Sequence, residues 1–326
     1  MSKVTAQQVA EHAGVSRAAV SRTLSNRGYV SAQTREKVMR SVDELGYRVN
    51  LLARSLNQQR SDIVGIVVAS LENPFLAKQV ESISSALLSR QLKPLLLPTA
   101  THSISQLIDM VLHYNVSGII IASDTPPADI YKTCINHQIP VILINKDNTL
   151  PNVDRVVCDN ASGTKMLAQA FKQRGCQSLL ILSSLRGSYS LRQRELLMRE
   201  AAEMMGISVE VHRAECHSYD GGKLVAIDII AKQTLPDGIF CGNDYLALGV
   251  IDALRKLDNN DRLKQVKIAG FDNLPQAGWL SYDLTTIEQP TMKIAEAAIN
   301  LLLRRMATPD AVGESITVPV SLIERG

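Results

Sequence analysis

The sequence lacks the features that mark several large protein classes. Its longest apolar runs, such as Ile119-Ile120-Ile121-Ala122 and Val141-Ile142-Leu143-Ile144, are strand-sized and far short of the roughly 20 residues of a membrane helix. The N-terminus, Met1-Ser2-Lys3-Val4-Thr5, turns polar at once and holds no apolar stretch of the secretory kind. A cytoplasmic protein without a membrane partner is expected. Cysteine is present at five widely spaced positions, Cys134, Cys158, Cys176, Cys216 and Cys241, with no Cys-x-x-Cys pair. An odd number without ligand spacing points to free thiols and no metal in a reducing compartment. Also missing are a Gly-x-Gly-x-x-Gly turn, a Walker loop, a His-Glu-x-x-His helix and a nucleophile elbow, which argues against an enzyme and against a cofactor.

What is present is ordinary in bulk and lopsided in detail. The 326 residues suffice for two or three packed units, and 45% apolar with 21% charged residues suits a globular chain. The net charge is +3. Residues 1–60, however, hold ten Lys/Arg against four Asp/Glu, a local +6, and the remainder is slightly acidic at −3. A basic head on an acidic body points to a nucleic-acid module fused to another function.

Within the head, Thr5 and Gln8 form a capping-box pair that opens a helix running to Ala13. Gly14 supplies a sharp turn, Val15 plugs a small core, and Ser16 stands ready to cap a second helix from Arg17 to about Leu24. Val20 and Leu24 face inward at i, i+4, leaving Arg17, Ala18, Ser21 and Arg22 outside. A third helix follows from the Ser31 cap to the Gly46 stop, with Val38, Val42 and Leu45 at helical spacing. Two short helices joined through glycine, the second exposing basic residues at its start, are what a major-groove reader requires.

The run Val4-Thr5-Ala6-Gln7-Gln8-Val9-Ala10-Glu11-His12-Ala13-Gly14-Val15-Ser16-Arg17-Ala18-Ala19-Val20-Ser21-Arg22-Thr23-Leu24-Ser25-Asn26 closely resembles the signature of the LacI/GalR family of transcription regulators. So does Leu45-Gly46-Tyr47-Arg48-Val49-Asn50. The resemblance implies that Arg17, Ala18 and Arg22 read base edges. Arginine pairs with guanine, and alanine offers apolar contact to a thymine methyl. Thr5, Ser16, Ser21, Asn26 and Tyr47 are expected to position phosphates. The next segment, Asn50-Leu51-Leu52-Ala53-Arg54-Ser55-Leu56-Asn57, is only about two helical turns long, too short to be helical alone in water. It reads either as a plain tether or, as the resemblance implies, as a hinge helix formed over operator DNA. In that second reading Asn50 and Arg54 are also DNA contacts, Ala53 and Leu56 form its apolar edge, and Leu56 wedges into the minor groove.

From Ile63 onward, strand-like runs alternate with helix-length stretches. The strands expected are 63–69, 94–97, 118–122, 141–145, 179–183, 209–212, 238–241, 267–271 and 316–320. Such alternation implies parallel sheets covered by helices, too many for one sheet and therefore two lobes. Ligands bind such sheets at the carboxyl ends of their strands, where Asn73, Phe75, Ser123, Asp124, Asn145, Asn243, Asp272 and Asn273 fall, with Arg194 near the start of a helix. Carboxylate, carboxamide and guanidinium groups there suit vicinal hydroxyls; Phe75, Tyr219 or Trp279 would cover an apolar sugar face. Taken singly, each Asn or Asp is also a common turn or helix cap.

The resemblance extends here through Asn73-Pro74-Phe75, Gly242-Asn243-Asp244-Tyr245, Gly270-Phe271-Asp272-Asn273 and Leu284-Thr285-Thr286-Ile287-Glu288-Gln289-Pro290. It implies an all-α helix-turn-helix DNA-binding domain (1–48), a hinge helix and linker (49–61), and an α/β periplasmic-binding-protein-like domain of two discontinuous lobes with parallel sheets (62–326). It places Phe75, Asn145, Arg194, Asn243 and Asp272 in an effector cleft. Where the family has Arg-x-x-Gly-Phe, this chain has Arg194-Glu195-Leu196-Leu197-Met198, so Arg192 stands as a rival cleft arginine. The expected partners are near-palindromic operator DNA, a small effector of the sugar type, and a second copy in a homodimer. Control by a partner protein in place of a small molecule is the alternative.

Overall fold

The computed structural model of the chain describes residues 4–25, 28–47, 61–122, 128–147, 153–185, 188–231, 235–257 and 265–325. The chain divides into two units, Met1–Ser61 and Asp62–Gly326.

In the first unit, Thr5 has extended backbone and closes a capping box with Gln8, starting α1 (Ala6–Ala13). Gly14 ends it at φ +63°, a left-handed conformation that costs glycine little. α2 (Arg17–Ser25) follows. α3 (Ala32–Glu44) starts at Ser31, whose side chain accepts from the Thr34 amide. Val9, Ala10, Val20 and Val38 are buried at the centre, walled by Val15, Leu24, Val42, Leu45 and Tyr47. So small a core leaves the remaining faces of three helices for solvent or a partner.

The second unit begins with β1 (Ile63–Val68), α4 (Pro74–Ser89), β2 (Lys93–Pro98), α5 (Ile104–His113), β3 (Gly118–Ile121), α6 (Ala128–Asn136), β4 (Val141–Ile144) and β5 (Asp154–Cys158). The chain then enters a second lobe: α7 (Asn160–Gln173), β6 (Ser178–Ser184), α8 (Tyr189–Met204), β7 (Ser208–Ala214), α9 (Tyr219–Ala231), β8 (Gly238–Cys241), α10 (Asp244–Leu257) and β9 (Lys267–Ala269). It returns through β10 (Thr286–Glu288) to α11 (Thr291–Ala307) and β11 (Ser315–Val318), and finishes with β12 (Ser321–Ile323). The first lobe's sheet has the order β11-β5-β4-β3-β1-β2 and the second's β7-β6-β8-β9. All pairings within both are parallel. β10 and β12 form a separate antiparallel pair. Central strands such as Ile119–Ile121 and Val141–Ile144 are buried on both faces, as sheets sandwiched by helices require.

Three strands, β5, β10 and β12, depart from the sequence expectation. Asp154-Arg155-Val156-Val157-Cys158 carries charge in its first two positions, and β10 and β12 are three residues each, below the length at which alternation shows. β5 is held because its charges are met. Asp154 is fully buried and takes bonds from Arg304 Nη2 (2.8 Å), Arg305 Nε (2.8 Å) and the Glu314 amide (2.8 Å). Burial works to raise this carboxyl's pKa, but the bonds and charges of Arg305, Glu314 and Arg304 outweigh it and hold the group below its usual range. Among the described residues no helix is long and apolar enough to cross a membrane. All five thiols are free, four of them buried.

Candidate nucleic-acid interface and ligand cleft

In the helix-turn-helix unit, Val20 and Thr23 turn inward, while Ser16, Arg17, Ala18, Ser21 and Arg22 are exposed together at the start and outer face of α2. The period of 3.6 residues enforces this split. Ser16 caps α2, its Oγ accepting from the Ala19 amide at 3.2 Å. Thr5 Oγ1 is engaged with Gln8, and Tyr47 is half-buried against the core. Tyr29, unremarked in the sequence, stands 90% exposed beside Gly28. Asn26, Asn50, Ala53, Arg54 and Leu56 lie outside the described residues, as do Ser123 and Asp124 of the larger unit.

The larger unit holds a cleft between its lobes. Its lining comes from the carboxyl ends of both sheets: Asn73, Phe75, Leu76 and Gln79 after β1, Ala122 after β3, Ile144 and Asn145 at β4, Ser188, Ser190, Leu191 and Arg194 at the start of α8, Asn243 after β8, Asp272 after β9 and Gln289 after β10. The expected positions Asn73, Phe75, Asn145, Arg194, Asn243 and Asp272 therefore meet in one place.

Their side chains are tied into a network. Arg194, 3% exposed, donates from Nε to Asn160 Oδ1 (3.0 Å) and from Nη1 to the Gly242 carbonyl (2.8 Å) and Asp272 Oδ1 (3.2 Å). Its guanidinium lies 3.7 Å from the Phe271 ring centre, a cation–π arrangement that compensates for burial. Asn145 accepts from the Cys158 amide (2.9 Å) and donates to Gln289 Oε1 (3.0 Å), and its backbone carbonyl takes the Ser190 hydroxyl across the lobes (3.3 Å). Asn73 caps α4 through the Phe75 amide (2.9 Å), and Asn243 caps α10 through the Leu246 amide (2.7 Å) while donating to the His217 carbonyl (3.1 Å). Capping and lining are thus the same residues' work.

Asp272 sits at φ +126°, an unfavourable backbone region for a non-glycine residue. Its amide is anchored on the Ile287 carbonyl at 2.8 Å. Behind it, Asp244 is completely buried and receives the Thr286 hydroxyl (2.5 Å) and the Leu274 amide (2.8 Å). Burial pushes its carboxyl up to about 6 against these bonds and the Arg194 charge.

Arg192 is exposed on the outer side of α8. Leu197 and Met198 stand where the family pattern has glycine and an aromatic, and Met198 is fully buried in the main core. The departure from the family pattern thus lies behind the cleft wall, and Arg194 keeps its position. Tyr219 is placed elsewhere: it is not among the lining residues, packs near Tyr245 with ring centres 6.2 Å apart, and donates its hydroxyl to Asp252 at 2.7 Å. That hydrogen bond pushes its pKa up to about 12. Its backbone explains the position, since Gly249 approaches it so closely that an added Cβ would meet the Tyr219 carbonyl oxygen at 1.9 Å. Trp279 is 54% exposed beside Tyr282 and also absent from the lining. Gln79, Ser190 and Asn160 were not singled out in the sequence, and Gln289 stood there only within the run Leu284-Thr285-Thr286-Ile287-Glu288-Gln289-Pro290. Gln79 carries a local signal as well, one helical turn after Phe75 on the same face.

A helix-turn-helix unit and a two-lobed α/β body with a polar cleft, carried on one chain, define a DNA-binding regulator of the periplasmic-binding-protein-like type. Residues 5–50 match the family described as bacterial regulatory proteins, lacI family, and residues 168–326 match the periplasmic binding protein-like domain. The chain thus carries a lacI-family regulatory domain at its head and a periplasmic binding protein-like domain in its body. It is 29% identical over 321 residues to the sucrose operon repressor of Pediococcus pentosaceus, covering 97% of each chain. It is likewise 29% identical over 328 residues to the ribose operon repressor of Bacillus subtilis (strain 168), covering 98% of this chain and 97% of that one. The crystal structure of the Lac repressor dimer bound to operator and the anti-inducer ONPF shares its fold, with a TM-score of 0.86 and 24% identity over 99% of this chain and 98% of that one.

Proposed function

We propose that the protein is a sequence-specific transcriptional repressor, not an enzyme, that acts in the cytoplasm as a homodimer on near-palindromic operator DNA. A small polar effector, a sugar or sugar derivative, occupies the cleft and sets operator affinity. The observation that carries the reading is the convergence of Arg194, Asp272, Asn145, Asn243 and Gln289 on one cleft, in a chain whose other unit presents Arg17, Ala18, Ser21 and Arg22 from a single helix. Relatives named for the sucrose and ribose operons support the effector class.

In this mechanism Arg17 and Arg22 read base edges, Ala18 meets a thymine methyl, and Thr5, Ser16, Ser21 and Tyr47 set the register on phosphates. The cleft residues bind the effector between the lobes. Occupancy changes DNA affinity by the difference in effector affinity between the DNA-bound and free states, and by no more. The test is footprinting of the full chain on genomic fragments at moderate salt, repeated with D-ribose, D-galactose and sucrose. A protected, near-palindromic site whose affinity moves with one sugar is expected. Uniform weak binding to all fragments would remove the operator claim, and a site indifferent to every sugar would remove the sensor claim.

A further inference from the structure

Among the described residues the network leaves one buried side-chain polar atom of the cleft wall unmet. Gln79 lies on α4 in the stripe Leu76, Gln79, Ile83, Ala86 and Leu87, all buried, so helical periodicity calls for an apolar side chain where the sequence supplies a carboxamide. It is 2% exposed and lines the cleft. Its Nε2 is buried with no hydrogen-bond partner among the described residues. Leaving a buried donor unsatisfied carries a desolvation penalty, and an acceptor arriving in the cleft removes it.

We propose that Gln79 is a ligand-contacting, specificity-setting residue whose Nε2 donates to an oxygen of a neutral polyhydroxy effector. The proposal rests on the sensor reading above and adds the ligand's charge and one of its contacts. Neutrality follows from the lining. Arg194 and Asp272 are the only charged side chains among the described lining residues, and they bond to each other at 3.2 Å. A phosphate or carboxylate entering the cleft meets a cation already offset by a carboxylate, and a buried anion without its own counter-charge is heavily penalised. Hydroxyl oxygens meet Gln79 without that penalty. Phe75, one turn before Gln79 on the same helix, supplies an apolar surface for a ring face.

The experiment uses the full chain, its Gln79→Leu variant and its Gln79→Met variant. Each is assayed by calorimetry and thermal shift with D-ribose, D-galactose, D-fructose, sucrose, D-ribose 5-phosphate and D-glucose 6-phosphate. Binding of a neutral sugar by the wild type is expected, with at least tenfold weaker binding by both variants and an unliganded Tm equal to or above the wild-type value, because the unmet donor is gone. A lowered Tm with affinity retained in Gln79→Met would make Gln79 a packing residue and overturn the proposal. Unchanged affinity in both variants would do the same, as would wild-type binding confined to the two phosphorylated sugars. If no compound raised the wild-type Tm, the sensor reading itself would fall first, since a cleft ligand stabilises by mass action.

Discussion

In the first lobe, Asp154 lies at the amino end of β5, and Arg304, Arg305 and the Glu314 amide take its oxygens. In the second, Asp272 lies just after the carboxyl end of β9, where Arg194 meets it beside a cleft. The groups are alike and so is their burial, with Asp154 at 0%, Arg305 at 4%, Arg194 at 3% and Asp272 at 4% exposed. The difference is which end of the sheet they occupy. At the amino end the pair fastens α11 to β5 and nothing else can reach it. At the carboxyl end loops diverge, and the same pairing lines the cleft.

The comparison breaks most visibly at Asp154. Asp154→Ala leaves buried Arg305 without its counter-charge, and a loss of about 3–5 kcal/mol of folding stability is expected, read from urea unfolding of the full chain. The native carboxyl's pKa is held below its unfolded value of about 3.9. Its stabilising contribution is therefore fully present above that value and disappears as pH falls through the lower, folded value. A variant as stable as the wild type at pH 7, or one that keeps the wild type's loss of stability below pH 4, would mean the pair holds nothing together.

Arg194→Ala tests the other pair. Loss of a charged, multiply bonded donor from the cleft is expected to weaken effector binding about 100-fold, roughly 2.7 kcal/mol, by calorimetry on the sugar that binds the wild type. Arg194→Lys should recover only part, because an ammonium cannot reproduce the guanidinium fork. Equal affinity in wild type and Arg194→Ala would reduce this pair to a second structural staple. The smallest effect sharpens the contrast further. At Gly163 of α7 an added Cβ would come within 3.0 Å of the Phe271 ring, the ring that supports Arg194. Gly163→Ala is expected to cost about 1–3 kcal/mol of stability and to weaken the effector a few-fold. Wild-type affinity with reduced stability would show that the ring packs without positioning Arg194.

Much of the head was legible in the sequence because its signals are local. Thr5 and Gln8 cap α1 over three residues, Gly14 turns at the one position where a left-handed φ is needed, and Val20 turns inward while Arg17 and Arg22 turn out. The cleft was legible only in part. Strand ends pointed to Asn73, Phe75, Asn145, Asn243 and Asp272, since parallel topology alone sends those ends to one side. Arg194 and Arg192 stood two residues apart on one helix, and nothing short of knowing which side of α8 meets Phe271 could separate them. Tyr219 followed a strand just as the others did, yet close packing of α9 on α10 at Gly222 and Gly249 carries it to Asp252.

Composition, capping signals and strand–helix alternation by themselves determined a basic helix-turn-helix head and a parallel α/β body, because each depends on neighbours within a few residues. The tertiary structure alone decided which charges are met inside the protein and which donor is left over. Asp154 finds Arg305 across 151 positions and Asn145 finds Gln289 across 144, and Gln79 finds no partner among the described residues. Hydrogen-bond satisfaction is a property of the packed whole, and no window of sequence contains it.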